Sequence, residues 1–355
     1  TIRSINNNKI EGDLTIGEDT TDLLVVNSDT KFTDNIEVSN SITTKNSVVS
    51  ENIKGTDISY GSVWTQLGQD IDGEATNDSF GYSVSLSSDG TIVAIGGWEN
   101  DNTNGIDSGH VRVYKYDGSY WNQLGGDIDG ETAYDYSGWG EVSLSSDGSI
   151  VAIGATNNDD GGTDSGHVRV YQYNGSSWSQ LGGDIDGEAA NDYSGTSVSL
   201  SSDGTIVAIG ATNNDDGGTD SGHVRVYKYN GSSWIQLGSD IDGEAAGDES
   251  GWVVSLSSDG TIVSISANKN DGINGTDSGH VRVYQYDGNS WVQLGLDIDG
   301  EAAYDAARNV YSRCSVSLSS DGTIVAIGAR YNDGNVSNAG HTRIYQYNGS
   351  SWSQL

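Results

Sequence analysis

The chain has 355 residues, a formal charge of −35, 50 Gly, one Cys, and neither Pro nor Met. So acidic a surface argues against nucleic acid or an anionic membrane as partner, because phosphates are repelled. The single Cys314 excludes an intrachain disulfide framework and a Cys-based zinc site, and no apolar run nears the roughly 20 residues needed to span a bilayer. Without Met, Thr1 is expected to be a processed or fragment start, at which a leader would not be visible.

Residues 1–60 lack Trp and are rich in Asn, Ser, Thr and Ile. Short apolar pieces at 9–17, 23–26, 35–38 and 47–49 each read as a strand bounded by Asn, Asp, Gly or Ser. None makes a core alone, so the segment needs partners, and three chains wound together would bury its Ile, Leu and Val edges. The wording at 12–17 (GDLTIG) and 20–28 (TTDLLVVNS) resembles shaft modules of viral tail fibres; an ordinary β-rich linker domain is the alternative.

A repeat occupies 61–355. An alternating apolar run at 198–200, a Ser-Ser-Asp-Gly turn and a second run at 206–211 form its central hairpin, which recurs from Val84, Val142, Val254 and Val316. Asp-Gly between such runs is a strong hairpin signal, since Gly supplies the positive φ of the tight turn. Each unit adds a His-Val-Arg-Val-Tyr strand, an Asn-Gly or Asp-Gly turn and a Trp strand. Four antiparallel strands per unit of about 57 residues predict a propeller blade. The fold class is therefore all-β: a propeller of about five four-stranded blades, expected to close as a ring, preceded by a small shaft or oligomerisation segment. Six Trp strands against five hairpins leave one surplus, at Trp64 or at Trp352.

The order Gly-x-Ser-Val-Ser-Leu, Val-Ala-Ile-Gly-Ala, Gly-x-Val-x-Val-Tyr, Trp resembles the FG-GAP repeat of integrin-α-like β-propellers. Phe-Gly survives only as Phe80-Gly81, and the Gly-Ala pair is never followed by Pro. The calcium loop that the resemblance implies inside the hairpin is cut to Ser-Ser-Asp-Gly. One Asp cannot supply the 6–8 oxygens calcium takes, so that site is not carried over. The phrase Trp-x-Gln-Leu-Gly-x-Asp-Ile-Asp-Gly-Glu-Ala is similar to repeats in surface proteins of marine bacteria, algae and viruses.

Three groups of residues could carry chemistry. The Asp-x-Asp-Gly-Glu motif repeats as Asp127/Asp129/Glu131, Asp184/Asp186/Glu188 and Asp240/Asp242/Glu244; clustered hard oxygens suit calcium, or else they cap turns and pair with the repeat Arg. His167/Arg169 and His223/Arg225 sit two apart on a strand and share a face, where they could meet an anion or a sugar, or bridge to neighbouring Asp. The loop before Ser-Gly-His, with Asn157, Asp159, Asn213 and Asp215, varies between units, as recognition loops on a rigid scaffold do. Nothing marks a catalytic centre; the one marked break in the repeat is the insertion at 306–314. The expectation is a non-enzymatic, extracellular or virion-surface protein that associates with itself as a trimer or filament and binds a cell-surface glycan or protein receptor. A filament or coat subunit built by strand exchange is the alternative, and a glycan-cleaving propeller enzyme a third reading.

Overall fold

The computed structural model describes residues 36–44, 53–60, 65–304, 315–333 and 336–355. The segments 9–17, 23–26 and 47–49, the Trp64 strand and the insertion at 306–314 lie outside them. The chain divides into two compact units, Thr1–Gln66 and Leu67–Leu355. In the first, Ile36–Thr44 pairs in parallel with Ile53–Tyr60, Ile36 opposite Ile53.

The second unit is five sheets, each a four-stranded antiparallel meander. Blade 3 shows the pattern: Ser194–Leu200 innermost, then Ile206–Ala211, His223–Tyr229 and Trp234–Gln236, with the two-residue strand Ile241–Asp242 also pairing the third strand. The second strand is buried on both faces, which is why Ile-Val-Ala-Ile-Gly-Ala is apolar throughout rather than alternating. One face packs on the blade before and the other on the blade after. Ile150, Ala152, Val168, Val170 and Ile185 of blade 2 meet Val198, Leu200, Val207, Ile209 and Tyr227 of blade 3 in one core cluster, and the same positions repeat between the other neighbours.

Backbone hydrogen bonds stitch the hub. The N–H of Ser88 donates to Ser146, Ser146 to Ser202, Ser202 to Ser258 and Ser258 to Ser320, at 2.8–2.9 Å. At the rim, the indole N–H of each Trp donates to a Leu carbonyl one repeat earlier, Trp234 to Leu181 at 2.6 Å and Trp178 to Leu124 at 2.7 Å. The Ser-Asp-Gly carboxylate is consumed by its own turn: Asp203 accepts from Ser201 Oγ and from the N–H and hydroxyl of Thr205. Ser319 and Thr323 do the same to Asp321 and hold its carboxyl at about 2.

Blade 5 takes its outer strand, Trp352–Gln354, from its own repeat, and Leu67 sits on blade 1, where its carbonyl accepts from Trp121. The Trp64 strand is thus not needed to complete blade 5. Among the described residues, the expected closed ring does not form by contact of blades 1 and 5. Val84 and Leu86 on the leading face of blade 1 are 64% and 60% exposed, whereas their counterparts Val142, Val198 and Val254 are 2–3% exposed. On the trailing face of blade 5, Ile344 is 44% exposed where Val226 and Val283 are at 1%. Val93, Ile95 and Tyr114 on the same leading face stay buried with Ile71, Phe80 and Trp121 packed against them, so among the described residues the five blades form an arc whose two ends are partly exposed.

The glycines of the repeat act at the blade interfaces. A Cβ on Gly210 would stand 2.1 Å from the carbonyl oxygen of Gly251, and one on Gly154 2.1 Å from that of Gly195. The Gly of Ser-Gly and the Gly of Ile-Gly-Ala therefore touch across neighbouring blades, at a separation no side chain allows. Gly210→Ala should destabilise the protein by about 1–3 kcal/mol through overpacking, while Gly183→Ala, with open space around it, should be near neutral. Urea denaturation of the two variants checks this.

Candidate functional site

Strand order sorts the connections onto two faces. The Ser-Asp-Gly turns and the Asn-Gly or Asp-Gly turns fall at one end of every blade. The long loop between the second and third strands, and the linker from one blade to the next, fall at the other. All the motif residues outside the turns lie at this loop face.

There, the Asp-x-Asp-Gly-Glu linker is gripped by the following blade. Arg225 Nη2 donates to the carbonyl oxygen of Asp186 at 2.6 Å and Nη1 lies 3.4 Å from Glu188 Oε1, with the guanidinium 5.6 Å from the Tyr227 ring. Arg169 treats Asp129 and Glu131 in the same way, and Arg282 treats Asp242 and Glu244. Each Arg is buried. The linker Gly packs on the other side, against the blade it leaves: a Cβ on Gly187 would stand 2.1 Å from the carbonyl oxygen of Ser165.

The three acids of one motif do not converge on one point. The central Asp presents its backbone to the Arg. The Glu turns forward: Glu188 Oε2 lies 3.8 Å from His223 Nδ1, and Glu131 Oε2 3.8 Å from His167 Nδ1. The first Asp turns back to the blade it leaves. The groups formed are Glu74/His110/Asp127, Glu131/Asp160/His167/Asp184, Glu188/Asp216/His223/Asp240 and Glu244/His280/Asp297, with the ligand atoms of each within 4.8 Å of one another. Asp129, Asp186 and Asp242 belong to none of them. Among the described residues, each such group draws on two successive linkers and a histidine between them rather than on a single motif.

His167 and His223 are completely buried. Burial first, and then the neighbouring Arg, hold His167, His223 and His280 down to about 4, so the imidazoles are neutral at pH 7. Burial also raises Glu131, Glu188 and Glu244. The His and Arg expected to face a ligand are therefore inside the blades. Asn157, Asp159, Asn213 and Asp215 stay in the variable loop and shape it: Asn157 donates to Asp164, Asp159 and Asp215 accept the N–H of Asp164 and Asp220, and Asn213 accepts from Thr212.

Sequence reasoning missed an aromatic cluster on the same face. Tyr82 stacks on Trp139 at 6.3 Å and 15°, Trp98 stands edge-on to Tyr136 at 5.0 Å and to Tyr82 at 6.0 Å, and Tyr134 flanks Tyr136. Tyr82 and Tyr134 are exposed, Trp98 and Trp139 half-buried. Trp98 Nε1 is buried with no hydrogen-bond partner among the described residues. Glu99, Asp101 and Asp107 surround the cluster, and burial together with the Asp101 and Glu99 charges raises Asp107. The signal was countable: nine Trp, six in Trp strands, leave Trp98, Trp139 and Trp252. Where blade 1 has Trp98, blades 2 and 3 have Thr156 and Thr212.

Two segments match the FG-GAP repeat family model. They are residues 71–114 and 185–227, each running from the Ile of the linker to the Tyr of the third strand, and both lie outside residues 1–60. The tail-fibre resemblance of that segment gains no support. No curated protein matches the chain. Similar solved structures include hydrazine synthase of Kuenenia stuttgartiensis (12% identity, 81% of this chain and 68% of that one, TM-score 0.50). They also include a Bacteroides uniformis protein assigned as a 6-phosphogluconolactonase (12%, 77% and 70%, 0.49) and the periplasmic gluconolactonase of Pseudomonas aeruginosa (14%, 81% and 74%, 0.47). At such identity the likeness shows the fold alone. It nevertheless corrects one expectation: with enzymes by title among the similar structures, the repeat architecture gives no ground for calling the chain non-enzymatic.

The buried histidines make stability depend on pH. Their folded value lies below the unfolded one of about 6.5, so the unfolded chain takes up protons first. The stabilisation is complete above pH 6.5 and is lost as pH falls toward 4, on the order of 3 kcal/mol per histidine at full loss. The raised Glu131, Glu188 and Glu244 act in the opposite direction, because there the folded chain takes up protons first. In chelator, the melting temperature should fall between pH 7 and pH 5, and the slope should shrink in a His167→Gln/His223→Gln variant; a flat profile in the parent protein would contradict the assignment.

Proposed function

We propose that the propeller is a surface-displayed binding protein whose loop face takes a glycan at the cluster formed by Tyr82, Trp98, Tyr136 and Trp139. The observation that carries this is the stacked, partly exposed aromatic platform ringed by carboxylates. Aromatic faces meet the C–H faces of a sugar ring, and Glu99 and Asp107 can accept from its hydroxyls. The cluster breaks the repeat, as a specific site on a symmetric scaffold must, and the net charge of −35 selects neutral or cationic ligands over phosphorylated ones. Display outside a cell or on a virion, with residues 1–60 as the assembling stalk, completes this reading.

A second reading rests on the partly exposed ends of the arc. The leading face of blade 1 exposes Val84 and Leu86, and the trailing face of blade 5 exposes Ile344, with Thr342 where the internal interfaces have Val224 or Val281; blade 1 of a second copy would continue the series on blade 5 of the first across this more polar face. Such a contact is head-to-tail and builds rings or filaments.

Trp98→Ala and Trp139→Ala should each weaken binding on a neutral-glycan array at least tenfold and remove the ligand-induced change in Trp fluorescence, while Trp252→Ala should do neither; equal binding by all three would overturn the glycan site. In light scattering, the parent protein should show concentration-dependent association that Val84→Asp/Leu86→Asp abolishes. A monomer at all concentrations would remove the second reading.

A further inference from the structure

We propose that blades 2 and 3 each hold a first-row divalent transition cation, one between Glu131, Asp160, Asp184 and His167 Nδ1 and the other between Glu188, Asp216, Asp240 and His223 Nδ1. Three observations support these sites. Neither ring nitrogen of His167 or His223 has a hydrogen-bond partner among the described residues, although both side chains are fully buried. A buried donor or acceptor left unmade costs about 1–3 kcal/mol, and here the same cost recurs in successive blades. In each, Nδ1 faces the carboxylates at 3.8 Å from the nearest Glu oxygen, too far for a hydrogen bond and close enough to share a cation.

Charge gives the second argument. Three carboxylates stand against one guanidinium, Arg169 in blade 2 and Arg225 in blade 3, which leaves two negative charges per site. A divalent cation neutralises them; a proton on the imidazole would neutralise one and would have to form in a desolvated position.

The third argument is ligand chemistry. Calcium prefers an all-oxygen shell of 6–8 ligands, whereas a neutral imidazole with carboxylates suits zinc and its neighbours in the row. The other blades supply an internal contrast. The position of Asp160 is Asn102 in blade 1 and Gly272 in blade 4, and the groups there shrink to three residues. Bound cations would tie each linker to the variable loop of the next blade, fixing that loop without occupying its outer surface.

The full-length chain, stripped with chelator and passed into buffer, is titrated with Zn²⁺, Mn²⁺ and Ca²⁺ by calorimetry, with bound metal counted after dialysis. About two equivalents of Zn²⁺ should bind at least tenfold more tightly than Ca²⁺. Asp160→Asn should remove one equivalent and Asp160→Asn/Asp216→Asn both, with the metal-free melting temperature unchanged because both side chains are exposed. The imidazole ¹⁵N resonances of His167 and His223 should move on Zn²⁺ addition. Ca²⁺ binding as tight as Zn²⁺, equivalents unchanged in the double variant, or histidine resonances that stay still while metal binds to the acidic surface would each overturn the proposal.

Discussion

Each blade buries one guanidinium, and a buried cation has to be met. Here it is met by the chain leading into the blade. A carbonyl from Asp186 and a carboxylate from Glu188 reach Arg225, and equivalent pairs reach Arg112, Arg169, Arg282 and Arg343. Removing the Glu would leave a buried guanidinium without its counter-charge, whereas removing the Arg would leave a carboxylate that is itself partly exposed. The linker is therefore as fixed as a strand, though it has almost no strand pairing of its own. Everything on the loop face follows from that fixation: the Glu that neutralises the Arg also closes over the histidine, and the Asp that ends one blade faces back into it.

Symmetric and singular features have separate origins. The His–carboxylate groups recur because they are built from the repeat's own registration, with Glu, His and Asp at constant offsets. The aromatic cluster arises from three departures: Trp98 where blades 2 and 3 have Thr, Tyr82 in the innermost strand of blade 1, and Trp139 where blade 3 has Thr196. Recognition by the first kind of feature is many weak copies of one site, and by the second a single asymmetric one.

The sequence shows the fold plainly because the hairpin and its turn are local: two alternating runs and a Ser-Asp-Gly turn specify their own register. The blade count was equally legible. Two things were not. Whether blades 1 and 5 meet depends on the angle between blades, which no residue pattern encodes, and the exposure of Val84 and Ile344 emerges only in three dimensions. The pairing of Glu188 with His223 joins residues 35 apart through an intervening blade edge, so the motif looked like one cluster when its ends belong to two. The aromatic cluster was hidden by the opposite effect: each residue is an isolated exception, and it takes the fold to show that the exceptions are neighbours.

An open arc has a consequence for how such a chain can vary. A closed ring fixes its number of blades, because one blade more or fewer changes every angle around the axis. An arc carries no such constraint. Duplicating or deleting one 56-residue unit, the spacing of the hairpins at Val142, Val198 and Val254, would change its span and leave each remaining interface as it is. Repeat number can then drift between related chains while the packing rules stay constant, and the curvature of the arc becomes a heritable length.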